Sequence, residues 1–429
     1  MATTVSRRSF LEALAAVPLA ALPALHASWP GWMPRLAFSP PQQGPRGDVL
    51  VVVFLRGAAD SLNIVVPHGE AAYYRHRPTL AIPRPDDRRA PAAQRAADLD
   101  GFFGFHPMLR PLLPAWQAGH LAVVHACGAP DESRSHFQAM ELMERGLTDL
   151  QGPASGWIAR HLASLDTGNT SPLRGVGLGE RVQHSLRGAV PVTALRSIAD
   201  FHLGGDLEAA RTMQVALARL YQGEGEVQAL GRETLRILET VAALDPQAYQ
   251  PERQSSYPDG DLGMGLRQVA ALIKAEVGLE AAAIDVGGWD THFAQGSSEG
   301  QMAGLLEQLG LGLAAFHEDL ADAMDGITLV VMTEFGRRVY ENASLGTDHG
   351  HAGLMFVLGG LVEGGRVHAH WPGLEPEQLF GPGDLAVTID YRDVLAEICL
   401  KRLNNTALDQ IFPEFEPMLR GVVRPRDEF

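Results

Sequence analysis

The stretch Gly326–Gly360, GITLVVMTEFGRRVYENASLGTDHGHAGLMFVLGG, decides the reading of the chain. It opens with an apolar, β-branched run, Ile327 to Met332, of a length that suits a buried strand. It turns polar at Thr333-Glu334-Phe335-Gly336-Arg337. A loop then leads to Asp348-His349-Gly350-His351 and a second apolar run, Leu354 to Leu358. Open α/β sheets place their sites where polar residues follow buried strands. Two histidines this close to Glu334 and Asp348 have the composition of a metal site.

Working outward, the same arrangement recurs upstream. The Val-rich run Val49 to Leu55 reads as a strand buried on both faces, and it delivers Asp60, Ser61 and Asn63. Leu121 to Ala126 reads as another strand, followed by Asp131-Glu-Ser-Arg134-Ser135-His136 and a helical segment from Gln138 to Arg145. Ser135 therefore falls near a helix N-terminus, where backbone N–H groups can hold an anion and support a nucleophile. Arg134 beside it is placed to hold an anionic oxygen, and Ser61 is the rival nucleophile. Leu279 to Ile284 delivers Asp285-Val-Gly-Gly-Trp-Asp290-Thr-His292, in which Asp290 and His292 project to the same side of an extended segment.

Strands thus alternate with helices, which predicts an α/β fold with a mostly parallel central sheet sandwiched between helices. Its carboxyl ends would bring Asp60, Ser135 with His136, Asp290, His292, Glu334, Asp348, His349 and His351 together. Carboxylates with imidazoles suit Zn²⁺ or Mn²⁺, as one ion or two. A serine hydroxyl beside such ions suits attack on a phosphoryl or sulfuryl centre.

The chain has 429 residues and a formal net charge of −16. It begins with Ser6-Arg7-Arg8-Ser9-Phe10-Leu11 and an Ala/Leu-rich segment from Leu14 to Leu25, the form of a twin-arginine export signal ending near residue 27. This predicts passage through the twin-arginine translocase and a periplasmic or secreted mature protein. Losing residues 1–27 removes Arg7, Arg8 and Glu12, so the mature charge is −16 − (2 − 1) = −17. Such acidity excludes nucleic acid as a partner. No stretch of the mature chain is long and apolar enough for a membrane span.

Residues 28–46 read as a Pro/Gly-rich flexible arm, and 47–429 as one domain with a helical insertion at about 156–278 that carries no ligands. His161, His184 and His202 within it read as surface or packing groups. Cys127 and Cys399 sit in apolar contexts and are expected as two buried thiols.

The twin-arginine leader, VVVFLRGAADSLNIVVP, FGFHPMLRPLLPAW, ESRSHFQAMELMERG, DVGGWDTH and TEFGRRVYENASLGTDHGHAG together resemble the domain-of-unknown-function family 1501. That family resembles a branch of the alkaline phosphatase and sulfatase superfamily. The resemblance implies an alkaline phosphatase-like fold and a two-metal site. It implies Asp60, Asp290, His292, Glu334, His349 and His351 as metal-binding residues, to which the local composition adds Asp348, and Ser135 as the nucleophile. The implied activity is hydrolysis of phosphate or sulfate esters, small or polymeric. Cys127-Gly-Ala-Pro departs from the sulfatase Cys-x-Pro-x-Arg motif, which argues against a formylglycine nucleophile. The competing reading is a non-catalytic exported binding or assembly protein that keeps a degenerate metal site.

Overall fold

The computed structural model describes residues 48–179, 181–195, 207–244 and 249–426. The expected export signal, the arm at 28–46 and His202 lie outside the described residues.

The expected strand at Val49 forms β1 (Val49–Leu55), buried at all seven positions. In chain order there follow β2 (Leu121–Gly128), α1 (His136–Arg145), α2 (Trp157–Ser164), β3 (Gly175–Leu178) and β4 (Thr193–Leu195). Then come α3 (Leu207–Leu220), α4 (Glu226–Leu244), α5 (Asp261–Lys274), β5 (Ala281–Val286), α6 (Gln301–Asp319) and β6 (Ile327–Thr333). Next are β7 (Gly353–Leu358), β8 (Val367–His368), β9 (Ile389–Asp390) and α7 (Tyr391–Lys401), and a short helix, Leu408–Ile411, closes the described elements. These strands form one sheet in the order β8-β2-β7-β6-β1-β5-β3-β4, with β9 beside β2, and a separate small sheet pairs residues 65–66 and 97–98 with 104–105.

The sheet is mostly parallel, with helices on its faces. Residues 50, 52 and 54 of β1 and residues 281 and 283 of β5 share a core with Trp157 and Ile158 of α2 and with Val394 and Ile398 of α7. On the other face α5 lies against β5, where Gly265 meets Ile284, and α6 packs on α5 through Gly312 against Leu266. Uninterrupted apolar runs form these strands because both of their faces are covered.

One strand runs against the rest. β7 is antiparallel to both β6 and β2. Its beginning therefore lies at the end of the sheet where its neighbours finish. That brings His349 and His351 level with Asp290 and Glu334. The register is tight there, since Leu55 is level with Val286 on one side and Thr333 on the other.

The 156–278 stretch is less helical than its composition predicts, because β3 and β4 extend the sheet from within it. These strands are four and three residues long and include two glycines, too short for a period to show. Residues 207–242 belong to a separate compact unit. In it α3 and α4 are joined by a turn closed by Arg232, which donates to the carbonyls of Tyr221 (3.0 Å) and Gly223 (2.6 Å). Cys127 and Cys399 are buried and unpaired, as expected. Among the described residues no helix is long and apolar enough to cross a membrane.

Candidate metal centre

Three loops meet beyond the ends of β1, β5 and β6. Gly57 is required where the first turns away, since its φ is +118° and a Cβ there would lie 2.5 Å from the Asp290 nitrogen. Arg337 ties the loops together from beneath. It donates to the carbonyls of Ala58 (2.7 Å), Thr347 (2.9 Å) and Gly57 (2.5 Å), and to Asp290 Oδ1 (2.5 Å). Gly346 lets the 342–348 turn lie on His292, whose carbonyl carbon would be 2.4 Å from a Cβ there.

On this base four side chains converge: His136, Asp290, His292 and His349. Nε2 of His292 lies 2.9 Å from Nε2 of His349. Asp290 Oδ1 lies 3.1 Å from the first and 3.3 Å from the second. Asp290 Oδ2 lies 3.5 Å from Nε2 of His136. Three of these residues, His136, Asp290 and His349, could hold one ion with ligand atoms all within 4.8 Å of one another.

The opposite ring nitrogens fix the proton positions. His349 Nδ1 lies 2.8 Å from the carbonyl of Arg134, which can only accept, so Nδ1 carries the proton. His136 Nδ1 lies 2.8 Å from Glu334 Oε1, and His292 Nδ1 lies 3.1 Å from Asp348 Oδ1. Burial raises the Glu334 carboxyl, but the His136 hydrogen bond and backbone N–H donors outweigh it and hold it below the usual range. Hydrogen bonds from Asn342 and His292 hold Asp348 low despite some burial. Both are therefore carboxylates that accept, and each Nδ1 donates. This leaves three Nε2 lone pairs facing one another and a carboxylate. Burial raises the Asp290 carboxyl too, but Arg337 and the histidines bring it down to about 2.

Glu334 and Asp290 raise the His136 pKa, so without a cation that ring favours its protonated form. With the three imidazoles neutral, as metal binding requires, the set consists of acceptors alone, and His136 Nε2 is buried without a hydrogen-bond partner. Such an arrangement is satisfied by a cation, and three imidazoles with a carboxylate fit a divalent transition metal. Asp290 and His292 are 47 % and 43 % exposed at the side chain, so the face toward solvent is open.

The residues expected from sequence divide into groups. Asp290, His292 and His349 meet. Glu334 and Asp348 stand one bond further out and orient imidazoles, a role carboxylates often take behind histidine ligands.

Asp60 does not join them. Both its oxygens are taken by the buried Arg77, Nη1 to Oδ2 at 2.6 Å and Nη2 to Oδ1 at 2.9 Å, with Gln295 donating to Oδ2 at 2.7 Å. A guanidinium with no solvent exposure needs a counter-charge, and Asp60 supplies it. His351 also turns away, with Nε2 on the carbonyl of Asp131 (3.1 Å) and its ring stacked on Phe380.

Ser135 is exposed at the N-cap of α1 and makes no side-chain cap bond. Ser61 is buried, its hydroxyl directed at the carbonyl of Ala352 (3.4 Å). Arg134 is not a free anion clamp, because its guanidinium pairs with Asp384.

His136 is the member that the sequence ligand set lacks. It stands first in α1, and Arg56 anchors that helix to β1 through Glu144 (2.7 Å). The signal was its place directly after Ser135, at the end of a strand like the other ligands.

An α/β protein with a three-histidine, one-carboxylate cluster at the carboxyl end of its sheet is the class these features define. The chain belongs to the family described as protein of unknown function (DUF1501), whose model matches residues 48–399. No curated protein matches it.

Proposed function

We propose that this protein is an exported metal-dependent hydrolase of phosphate or sulfate esters. In this reading the fold is of the alkaline phosphatase type, as its sequence motifs suggest, and the chain reaches the periplasm or beyond through the twin-arginine translocase. The observation that carries the proposal is the cluster of three histidine lone pairs and the Asp290 carboxylate, with every Nδ1 already engaged.

His136, Asp290, His292 and His349 would hold Zn²⁺ or Mn²⁺. A bound divalent ion supplies a Lewis acid that lowers a hydroxyl pKa and offsets charge in the transition state. Glu334, Asp348 and the Arg134 carbonyl keep the imidazoles aimed. Arg337 keeps Asp290 ionised at neutral pH. Ser135, at the start of α1 and next to His136, is the nucleophile: its oxygen bonds to phosphorus or sulfur, the alcohol leaves, and water then releases phosphate or sulfate from the serine.

A second reading is a non-catalytic binding or assembly protein with a reduced metal site. It is favoured by the engagement of Asp60 with Arg77 and by the single group of three or more ligands among the described residues. Elemental analysis together with chromogenic phosphate, phosphodiester and sulfate esters separates the two. Metal with turnover of one ester class supports the hydrolase. Metal without turnover supports the second reading, and absence of metal after loading with Zn²⁺ and Mn²⁺ overturns both.

A further inference from the structure

Among the described residues two phenylalanines are exposed, Phe137 at 86 % and Phe293 at 73 %. Each directly follows a histidine of the metal centre, His136 in the first case and His292 in the second. Single apolar residues scattered over a surface are ordinary. Here both rings stand beside one open cluster.

The local structure keeps them in water. Ala139 of α1 packs with Ala58 and Phe335, and His136, three residues earlier, is on the same side of the helix with its ring stacked on Phe335 at 5.2 Å. Phe137 therefore leaves α1 on a different side. Phe293 is followed by Ala294 with φ +46°, and Leu345, 54 % exposed, has φ +58°. Residues other than glycine rarely adopt this left-handed region. Two backbone bonds hold the segments in it, from Ala294 N–H to the Ser344 carbonyl (3.0 Å) and from Gln295 N–H to the Leu345 carbonyl (2.9 Å). Strain of this kind gathers at binding and catalytic sites.

The imidazoles of the centre form a row. The His349 ring lies 4.3 Å from that of His136 and 4.6 Å from that of His292, centre to centre. The buried Phe335 backs the row, 5.1 Å from His349. Phe137 and Phe293 are thus next in the chain to its two ends, and Leu345 is bonded to the segment of the second.

The size and charge of this rim choose its occupant. Three side chains are far fewer than the roughly 20 residues a side of a stable protein interface. The chain carries −16, and Glu132, Asp290, Glu341 and Asp348 lie in the same segments, so an anionic lipid surface is repelled. What remains is a small apolar group continuous with a head bound at the centre. Phenylalanine faces and edges favour a second aromatic ring.

We infer that Phe137 and Phe293 form an aromatic rim on the open face of the centre, and that the alcohol portion of the ester carries an aryl group. The second clause rests on the hydrolase reading; recognition of the ring does not.

The experiment uses probes that cannot be turned over. Benzylphosphonate and ethylphosphonate are titrated by calorimetry into the mature protein loaded with Zn²⁺, and benzyl alcohol is followed by saturation-transfer NMR without added metal. Benzylphosphonate is expected to bind about tenfold more tightly than ethylphosphonate. Phe137→Ala and Phe293→Ala, each with wild-type metal content and melting temperature, bring that ratio close to one and remove the benzyl alcohol signal. Equal affinities in the wild type, or a preference that survives both variants, would overturn the rim. So would binding to phosphatidylcholine vesicles, or dimer formation, that the same variants abolish, since either gives these side chains another partner. If neither phosphonate binds, the benzyl alcohol signal decides: its loss in both variants keeps the rim, and its absence from the wild type or persistence in the variants removes it. Benzyl preference without turnover of benzyl phosphate or benzyl sulfate keeps the rim and removes the hydrolase.

Discussion

His292 and His349 point Nε2 at Nε2 across 2.9 Å, although each has its proton on the other nitrogen. Two lone pairs at that distance repel unless a cation lies between them. The mature protein is therefore expected to take up about one Zn²⁺ or Mn²⁺ per chain, and His349→Ala to lose that uptake. Equal metal content in wild type and variant, by elemental analysis after dialysis, would remove the centre.

Asp348 offers a milder probe, because its side chain is half exposed and it touches His292 without joining the cluster. Asp348→Asn should fold normally and weaken metal binding by about 10- to 100-fold, the usual effect of losing a carboxylate behind a histidine ligand. An unchanged affinity in a competitive chelator titration would contradict this.

Asp60→Ala should act on stability. It strands the fully buried Arg77 guanidinium, at a cost of about 3–5 kcal/mol. Denaturant unfolding should report that loss, while metal content of the folded fraction stays at the wild-type value. Loss of metal with stability intact would return Asp60 to the ligand set.

If the protein is an esterase, Ser135→Ala should lower turnover by about a thousandfold or more and leave the metal in place. Ser61→Ala should keep activity, since Ser61 is buried and its hydroxyl faces a carbonyl. The reverse pattern of activities would move the nucleophile to Ser61.

Acid should destabilise the fold in a defined window. Burial pushes His106, His125 and His161 from 6.5 down to about 4. The unfolded chain takes up these protons below pH 6.5 and the folded chain refuses them, so the stability is full above 6.5 and is lost as pH falls toward 4. Each histidine contributes on the order of 3 kcal/mol at the acid end. A melting temperature that stays level from pH 7 to pH 4.5 would contradict this.

Much of the sheet was legible because β1, β2, β6 and β7 are apolar runs bounded by turn residues, and the positions that follow them are polar. The direction of β7 was not, since an apolar run carries no sign of which way it pairs. Asp60 was misread for a physical reason: a carboxylate after a strand looks the same whether it faces a metal or a guanidinium. Its partner lies 17 residues on, in Arg77. His136 was masked by Ser135, the more familiar catalytic residue.

β1 sits between β5 and β6, and both neighbours come late in the chain: Leu50 is level with Ala281, so 281 − 50 = 231 residues must follow before its first partner exists. At elongation rates of roughly 5–20 residues per second that is on the order of 10–50 s. Throughout translation a seven-residue apolar strand stands on the nascent chain with both hydrogen-bonding edges vacant. Until the second half of the chain arrives those edges are templates for pairing with other chains, so a product stalled before Ala281 is expected to aggregate.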